Sequence, residues 1–324
     1  MADARPALSV VIPTHDTREL TLRCLASLGA ARADAEVIVV DDGSHDGTAE
    51  EIGRRHPSVR VLSHPSALGF TAAVNRGLRE AGGGLLFLLN SDTEVDAETL
   101  PRLVAAFGAN PRLGAGGACL RYPDGRPQWS GGRAPTPAWL FALASGLPAL
   151  LSALPGYRRL HPLAAEARGD VDWVSGAAMA IRRAAWEEVG PLDEGFAFYC
   201  QDLDFCLRLR SAGWEVRVVP GMLVLHHGGA TIGKTSGALK ARQHPGLLWT
   251  DLVRLARKHG GDEAARKTAA TLRLGGRLRV LSRSAALPLV PADLRSAWRE
   301  DTEAFRGALQ ALASAEAPRP HEAA

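Results

Sequence analysis

Acidic and hydroxyl side chains follow a short apolar run in the first third of the chain. Leu85 to Leu89 is unbroken by polar residues, and Asn90, Ser91 and Asp92 come directly after it. Such a run is typical of a strand that is covered on both faces, as in a parallel sheet. Open α/β sheets bind ligands where their strands end. Asp92 is therefore a candidate ligand for a hard divalent cation, with diphosphate oxygens completing the shell. The alternative is that it only starts a turn before a helix near Asp96.

A second pair of carboxylates follows another apolar run. Glu36 to Val40 is predicted to be a strand, and Asp41 and Asp42 come directly after it. Carboxylates at this edge can accept hydrogen bonds from a pyrimidine N–H or from ribose hydroxyls. The alternative is an Asx turn with a helix cap, a role that we assign to Asp46. No G-x-G-x-x-G follows the first strand and no P-loop sequence occurs, which argues against a dinucleotide fold and a P-loop enzyme.

The second half of the chain contains two further groups of reactive side chains. Asp202 and Asp204 open a predicted helix, where a carboxylate can also cap the helix. Arg208 follows Asp204 by one helical turn, so we expect a surface ion pair there, worth about 0.3–0.5 kcal/mol. His226 and His227 end a predicted strand, and neutral imidazole is a common metal ligand. Adjacent strand residues point to opposite faces, so only one of the two histidines should reach an ion.

Alternating strands and helices must position these side chains. The apolar runs and the helical spacing of leucines predict strands at Leu8–Ile12, Glu36–Val40, Val59–Leu62 and Leu85–Leu89, with helices at Arg18–Leu28, Asp46–His56 and Ala72–Glu80. This alternation predicts a parallel sheet built from right-handed crossovers. The carboxylates named above then meet at one edge of the sheet.

Composition limits the class of protein. The net charge of +3 over 324 residues is too small to indicate nucleic-acid binding. The four cysteines lack C-x-x-C spacing, which predicts reduced thiols in a cytoplasmic protein rather than a disulfide or zinc framework. The N-terminal residues lack the layout of a secretory signal, and no long apolar run predicts a transmembrane helix.

Six motifs in order resemble family 2 glycosyltransferases. They are SVVIPT at Ser9–Thr14, VIVVDDGSHDGT at Val37–Thr48, LGFTAAVNRGL at Leu68–Leu78, FLLNSDTEV at Phe87–Val95, WVSGAAMAIRR at Trp173–Arg183 and FAFYCQDLDFCLRLRSAGW at Phe196–Trp214. The set is most similar to the bacterial rhamnosyltransferase-type branch, which builds cell-surface polysaccharides.

This resemblance implies a fold and a division into domains. The fold is the glycosyltransferase A fold, an α/β fold with a Rossmann-like, mostly parallel central sheet flanked by helices. We expect a catalytic domain over residues 8–233, with a nucleotide-sugar half at 8–95 and an acceptor half at 96–233. A basic helical extension should follow over 234–324.

The resemblance also implies an activity: inverting, metal-dependent transfer of a hexose-type sugar, with rhamnose suggested by the branch. The donor is a nucleoside-diphosphate sugar and the acceptor is a glycan or a lipid-linked sugar. Asp202 matches the catalytic base of the family, and a carboxylate there would take the proton of the acceptor hydroxyl. His226, followed at the family spacing by Thr231, matches a histidine that binds metal or diphosphate. The implied roles are: donor binding by Pro13, Thr14, Asp41, Asp42, Asn75, Ser91 and Asp92; acceptor-side contacts by Trp173 and Gly176; and binding of Mg²⁺ or Mn²⁺ by Asp92 and His226.

Two departures from the family pattern and several alternatives stay open. His15-Asp16 stand where Tyr-Asn is frequent, and Asn90 replaces the first acid of the Asp-x-Asp motif. Asn75 lies in a predicted helix, where it either faces the site or bonds a neighbouring loop. Trp173 either stacks on a sugar or is part of the core. The rival functions are a sugar-phosphate nucleotidylyltransferase, disfavoured because the first loop lacks a glycine- and lysine-rich phosphate cradle, and a non-catalytic nucleotide- or glycan-binding scaffold.

Two regions lie outside the motifs. Pro137 to Leu154 is apolar and broken by prolines, so it is either a membrane-dipping loop or a buried pair of helices. Lys234 to Glu300 contains 14 Lys and Arg against 5 Asp and Glu, a difference of +9. Its basic amphipathic pattern predicts peripheral contact with an anionic membrane at the inner face of the cell membrane. The alternative is a solvated helical extension. Lys234 either meets phosphate or is solvated.

Overall fold

A computed structural model describes residues 7–29, 35–147, 169–228 and 244–315. These residues form two compact units. The first contains the described residues of 7–134, 169–194 and 201–228, and the second contains 135–147, 195–200 and 244–315. All the predicted site residues that the structure describes lie in the first unit.

The first unit is built around one large sheet. Its strands are β1 Leu8–Thr14, β2 Ala35–Asp41, β3 Arg60–Ser63, β4 Leu85–Leu89, β5 Thr93–Val95, β6 Leu113–Arg121, β8 Gly169–Asp170, β10 Ala178–Arg182 and β11 Glu215–His226; the short strands β7 Gly131–Gly132 and β9 Trp173–Val174 pair separately. The sheet order is β3-β2-β1-β4-β10-β6-β11-β5, with β8 beside β11.

Strand direction gathers the site residues at one edge of the sheet. β1 to β4 are mutually parallel, and β6 is parallel to β11. β10 lies between β4 and β6 and is antiparallel to both. β4 and β6 therefore run in the same direction, and so do the two sets of parallel strands to which they belong. The predicted α/β fold with a mostly parallel central sheet is confirmed. Thr14, Asp41, Asn90 and His226 all lie at or just beyond the carboxyl ends of parallel strands.

Helices cover both faces of this sheet, as the unbroken apolar runs predict. They are α1 Arg18–Ser27, α2 Thr48–Arg55, α3 Phe70–Glu80, α4 Thr99–Ala109, α6 Arg183–Val189 and α7 Gln201–Ser211. Phe87 packs with the side chains of α1 and α4, whereas its neighbours Leu86 and Leu88 pack with those of α3 and α7. Successive strand residues point to opposite faces, so both faces need a helical cover.

A glycine lets α3 lie close to the sheet. A Cβ atom at Gly77 would lie 2.3 Å from Cγ1 of Val11 in β1. Real Cβ atoms do not approach this closely, so a larger residue would push the helix away from the strand. This close contact fixes the height of α3 above the strands whose ends form the site.

The second unit is helical. It consists of α5 Pro137–Ser145, α8 Pro245–Ala286, two short 3₁₀ turns at Leu287–Leu289 and Ala292–Leu294, and α9 Arg295–Ala315. α8 is kinked at Gly261, where φ is 73°. Trp249 is buried beside Phe305, with their ring centroids 5.8 Å apart. The apolar segment predicted at 137–154 is helical over α5, which packs closely against Gly275 of α8; its residues after 147 lie outside the described part.

A buried carboxylate organises one loop of this unit. Asp251 of α8 is 3% exposed and accepts the backbone N–H groups of Ala197, Phe198 and Tyr199 at 3.0, 3.0 and 2.8 Å. Three donors on one carboxylate satisfy its charge without a cation.

None of the helices among the residues that the structure describes is long and apolar enough to span a bilayer.

Candidate active site

Hydroxyl groups link the end of β1 to the segment after β4. Thr14 Oγ1 lies 2.9 Å from Thr17 Oγ1 and 2.7 Å from Thr21 Oγ1. Thr17 Oγ1 lies 3.1 Å from Ser91 Oγ, and all four residues are buried. Pro13 is buried within β1 and sits opposite Val40. The structure therefore brings Thr14 and Ser91 together, two residues for which the sequence predicts donor binding.

Asp41 and Asp42, the adjacent carboxylates at the end of β2, have different hydrogen-bond partners. Asp42 Oδ1 accepts the Leu68 N–H at 2.9 Å and lies 2.7 Å from His64 Nδ1, while Oδ2 accepts the Gly69 N–H at 2.8 Å. Both oxygens of Asp42 thus hold the loop of residues 64–69 in front of α3. Asp41 Oδ1 accepts the Ser44 N–H at 3.2 Å, which is the one hydrogen bond to its side chain among the described residues. Of the pair, Asp41 is better placed to accept a donor group.

Asn75 bonds a neighbouring loop. Its Nδ2 donates to the Leu192 carbonyl at 2.9 Å and to Glu194 Oε1 at 2.8 Å, and its Oδ1 accepts the Leu192 N–H at 3.0 Å. The side chain is 1% exposed. Both amide hydrogens are used by these bonds, which is the loop-bonding alternative that the sequence left open. Direct donor binding by Asn75 stays a prediction without support from this geometry.

A carboxylate and an imidazole meet beyond β4 and β11. Asp92 Oδ1 lies 3.3 Å from His226 Nε2, and the Asp92 side chain is 5% exposed. The antiparallel pairing of β5 with β11 places His226 opposite Thr93, which fixes this approach. His227 points away from it and pairs with Glu94 instead, with Nε2 and Oε1 2.7 Å apart. The alternation along the strand thus separates the two histidines.

Gln128 sets the chemistry of His226. Its Nε2 donates to the His226 backbone carbonyl, and its Oε1 lies 2.8 Å from His226 Nδ1. The amide oxygen is an acceptor, so Nδ1 must carry a hydrogen. In the neutral ring this leaves a lone pair on Nε2, facing Asp92. A lone pair and a carboxylate repel each other unless a cation lies between or beside them.

The residues present fit a divalent ion held with the help of the substrate. The separation of Asp92 Oδ1 and His226 Nε2 is close to that of two neighbouring ligands of one ion, each bonded at about 2.1 Å. A glutamine that orients the other ring nitrogen is typical of an outer-shell contact in metal sites. Among the described residues, no group of three or more His, Cys, Asp or Glu side chains completes a cage. Diphosphate oxygens would have to supply the remaining ligands.

Asp202 lies at the start of α7, beside Gly176, for which the sequence predicts an acceptor contact. Its Oδ2 accepts the Gly176 N–H at 2.9 Å, and its Oδ1 accepts the Leu203 N–H at 2.8 Å. Burial raises the pKa of Asp202, and these backbone donors oppose the rise. A carboxylate with a raised pKa is a stronger base than an exposed one, while the two N–H groups keep it oriented. This combination suits proton transfer from a hydroxyl.

One hydrogen bond joins the segment after β4 to the segment before β10. The Asn90 N–H donates to the Ala177 carbonyl at 2.9 Å, because β10 begins beside the end of β4. Gly176, which contacts Asp202, and Asp92, which contacts His226, are therefore each within two residues of this bond. Asn90 Oδ1 is buried and has no hydrogen-bond partner in the described structure, so this side still has an acceptor to satisfy.

Sequence reasoning missed the segment Gln128–Gly132. Besides bonding His226 through Gln128, it accepts the Ser175 N–H at the Ser130 carbonyl, 3.0 Å away, and its β7 pairs with β9. Trp129 lies edge-on to Trp173, with centroids 5.7 Å apart, and Trp173 Nε1 donates to the Arg133 carbonyl. Both rings are partly exposed. The only signal in the sequence was a Gln-Trp-Ser triplet before two glycines, which has no periodicity.

The predicted surface position of the Asp204–Arg208 pair is wrong. The pair exists, with Arg208 Nε 3.0 Å from Asp204 Oδ2, but the Asp204 side chain is completely buried. Arg208 also donates to the carbonyls of Val189 and Pro191. Two residues along a helix turn by about 200°, so Asp204 lies on the opposite side of α7 from Asp202. That side of α7 faces the core. The residues after 228, including Thr231 and Lys234, lie outside the described part of the chain.

We expect the substitution Asp204→Asn to destabilise the protein without disabling chemistry. It removes one charge of a buried pair and leaves the Arg208 guanidinium uncompensated, which costs about 3 kcal/mol. The melting temperature should fall by roughly 5–10 °C, measured by calorimetry. The matched control is Asp170→Asn, because the Asp170 and Arg217 side chains are exposed and their pair is worth at most about 1 kcal/mol. Equal losses in the two variants would contradict the buried role.

Comparison with known proteins identifies the family. The family model described as Glycosyl transferase family 2 matches residues 9–188, more than half of the chain. A second model, Glycosyl transferase family group 2, matches residues 157–294. The N-acetylglucosaminyl-diphospho-decaprenol L-rhamnosyltransferase of Mycobacterium tuberculosis (strain CDC 1551 / Oshkosh) is 30% identical over 282 residues, which are 81% of this chain and 87% of that protein. Rhamnosyltransferase WbbL of Escherichia coli (strain K12) is 39% identical over 57 residues, 18% and 22% of the two chains.

Solved structures agree on the fold. The mannosyltransferase PcManGT from Pyrobaculum calidifontis, solved with GDP-Man and Mn²⁺, has a TM-score of 0.57 and 16% identity, and the match covers 97% of this chain and 88% of that one. GalNAc-T7, solved with UDP, GalNAc and Mn²⁺, has a TM-score of 0.56 and 20% identity, over 96% and 57%. The predicted resemblance is thereby confirmed. The chain belongs to glycosyl transferase family 2, and it is a rhamnosyltransferase-like glycosyltransferase.

Proposed function

We propose that this enzyme transfers a sugar, with inversion, from a nucleoside-diphosphate donor to a hydroxyl of a glycan or lipid-linked acceptor. The observation that carries this proposal is the placement of two sets of groups on either side of one backbone hydrogen bond, between the Asn90 N–H and the Ala177 carbonyl. On one side are Asp92 and His226, and on the other is Asp202. A diphosphate and an acceptor hydroxyl need this separation of charge-binding and proton-accepting groups.

Each group has a defined part in the reaction. Asp202 takes the proton of the acceptor hydroxyl as that oxygen forms a bond to the anomeric carbon. The bond between the anomeric carbon and the diphosphate oxygen breaks, and the nucleoside diphosphate leaves with the electron pair. Attack opposite the leaving group inverts the anomeric centre. Mg²⁺ or Mn²⁺ held by Asp92 and His226 would offset the charge that develops on the leaving diphosphate.

The donor and acceptor follow from the site and from relatives. Asp41, Thr14 and Ser91 are proposed to bind the nucleotide, and Trp173 and Gly176 to line the acceptor side. The name of the mycobacterial relative specifies rhamnose and a diphospho-decaprenol acceptor, and two structures of the same fold were solved with nucleotides and Mn²⁺. We therefore propose a rhamnose-type donor and a lipid-linked acceptor at the inner face of the cell membrane, within cell-surface polysaccharide synthesis. A non-catalytic scaffold would not need Asp92, Asp202 and His226 together.

A thermal-shift screen tests the donor class. UDP-, dTDP- and GDP-sugars, each with Mg²⁺ or Mn²⁺, are compared for their effect on the melting temperature. We expect one nucleotide group to stabilise the protein, by about 2.7 kcal/mol at 100 times its dissociation constant. Asp41→Asn should lose most of this stabilisation.

The control for this screen is Asp46→Asn. Asp46 accepts the backbone N–H groups of Arg18 and Thr48, and the second bond forms an Asx turn before α2, whose N-cap residue is Gly47. Its variant should bind the donor normally. Stabilisation by a nucleoside triphosphate with a sugar phosphate, and by no nucleotide sugar, would instead indicate a nucleotidylyltransferase.

A further inference from the structure

Five leucines project into solvent where α8 turns back into α9. Leu274, Leu278 and Leu281 of α8 are 64%, 39% and 68% exposed, and Leu289 and Leu294 in the following turns are 87% and 53% exposed. We call these five residues the leucine tip. Leucine is ordinarily buried, and several exposed leucines on one part of a protein are a mark of an interaction surface.

The leucine tip is not the packing face of α8. Leu274, Leu278 and Leu281 are spaced by four and three residues, so they share one side of the helix. Leu272 and Gly276 lie elsewhere around the helix and are buried, with Gly276 against the Trp249 ring. α8 therefore has two apolar faces. One is covered by the helices of its own unit, and the other is presented outward.

The helices that carry the leucine tip have an excess of positive charge. Residues 262–301 contain eight Lys and Arg and five Asp and Glu, a net charge of +3. Arg279 and Arg283 face inward, where they share Asp301 on α9. Arg277 and Arg299 are exposed. Arg295 donates to the carbonyls of Pro288 and Val290, which braces the turn that carries Leu289.

This charge decides between the two simplest occupants. In a two-fold interface between copies of this chain, the same patch faces itself, so the cations of the two copies would be brought together. An anionic lipid surface supplies the opposite charge and an apolar layer beneath it. No helix of the described residues spans a bilayer, so the fitting mode is insertion of side chains at the interface.

We propose that the leucine tip inserts into the surface of an anionic membrane, with the surrounding arginines on the lipid phosphates. The inference does not depend on sugar transfer, because it rests on the second unit alone. It also differs from attraction of a basic tail by charge only. Insertion of leucines predicts binding that high salt weakens but does not abolish.

Sedimentation with vesicles tests the proposal, using the full chain without donor or acceptor. Vesicles of phosphatidylglycerol and phosphatidylcholine are compared with vesicles of phosphatidylcholine alone. We expect the wild type to bind the anionic vesicles. The triple variant Leu281→Ser, Leu289→Ser, Leu294→Ser should bind at least about 100-fold more weakly. Arg277→Gln with Arg299→Gln should weaken binding about fivefold per charge.

Two controls keep the result interpretable. Leu247→Ser removes a leucine that is 41% exposed near the other end of α8, and it should leave vesicle binding unchanged. The single variant Leu289→Ser alters a nearly fully exposed side chain, so it tests the tip without endangering the fold. Circular dichroism confirms that each variant is folded.

Three outcomes would overturn the proposal. The first is a wild-type protein that does not bind anionic vesicles. The second is unchanged binding by the triple variant. The third is a wild-type dimer, seen by light scattering, that the triple variant converts to a monomer, because this would assign the leucine tip to a second copy of the chain. Deleting residues 244–315 is a poorer test. The deletion would also remove Asp251, which accepts hydrogen bonds from the loop at Ala197.

Discussion

Asp202→Asn is expected to lower the rate of sugar transfer by about 10²–10⁴-fold, the usual contribution of a positioned acid or base. Asparagine retains an oxygen for the Gly176 N–H but cannot accept a proton at neutral pH. The residues that we propose to bind the donor and the metal are other ones, so both affinities should hardly change. The measurement is transfer under single-turnover conditions, with donor affinity determined in parallel by calorimetry.

The dependence on pH sharpens this expectation. Burial raises the pKa of Asp202 above the usual value for aspartate. A base must be deprotonated, so the rate should fall as the pH drops through that raised pKa, and this limb should disappear in Asp202→Asn. The raised pKa also affects stability. The native state favours the protonated form of Asp202, so ionisation of this carboxyl opposes folding. Its contribution to stability is therefore lost as the pH rises through the pKa of the native state. Removing the charge should therefore not lower the melting temperature greatly at neutral pH.

Asp204→Asn is the matched control for the chemical step. Its effect should appear as lost stability, while transfer per folded molecule stays near the wild-type rate. Wild-type turnover in Asp202→Asn would remove this residue as the base. Equal kinetic losses in the two variants would mean that the start of α7 matters only as structure. Weaker donor binding in Asp202→Asn would place the residue in the donor pocket.

Asp92→Ala is expected to abolish measurable transfer and to remove the metal dependence of nucleotide binding. We propose this side chain as one of two protein ligands of a divalent ion, and the other, His226, cannot hold a hard cation alone. The measurement is calorimetric titration of the nucleoside diphosphate with and without Mn²⁺. Unchanged metal-dependent binding in this variant would exclude Asp92 as a ligand.

Metal-dependent binding in Asp92→Ala is compared with that in two further variants. Glu94→Ala removes the carboxylate of the neighbouring pair with His227, so metal-dependent binding should survive. Gln128→Ala keeps both ligands but frees the His226 ring. Its metal affinity should fall by about 10–100-fold, the usual cost of losing an outer-shell contact, and excess metal should restore binding.

The parallel strands could be predicted from sequence because their signal is local. The apolar runs placed β1, β2 and β4 within two residues of their observed bounds. β6 was missed because its sequence, LGAGGACLR, is rich in glycine and lacks a strand pattern. Its glycines serve close packing: a Cβ at Gly116 would lie 2.9 Å from the Phe107 ring. This need arises from a neighbour in space and leaves no periodic trace in the sequence.

The site could be predicted where a residue type alone carries the chemistry. Residue type marked Asp92 and the two adjacent histidines as candidate ligands, and the resemblance to family 2 glycosyltransferases singled out His226; the structure places Asp92 and His226 in contact. Gln128 could not be found, because it lies 98 residues from the histidine that it orients. The burial of Asp204 was also hidden, since the same i, i+4 spacing to Arg208 describes a surface pair and a core pair equally well.

The division of work between Asp41 and Asp42 bears on how donor preference can change over evolution. Asp42 anchors both ends of a short loop, at His64 and at Leu68–Gly69. The residues between these anchors can then vary in side chain while the loop keeps its course. A library that randomises residues 65–67, with Asp42 and His64 held constant, should yield mostly folded enzymes, and comparing them with different nucleotide sugars measures how far this loop sets donor preference. A library that also randomises Asp42 should consist largely of inactive chains.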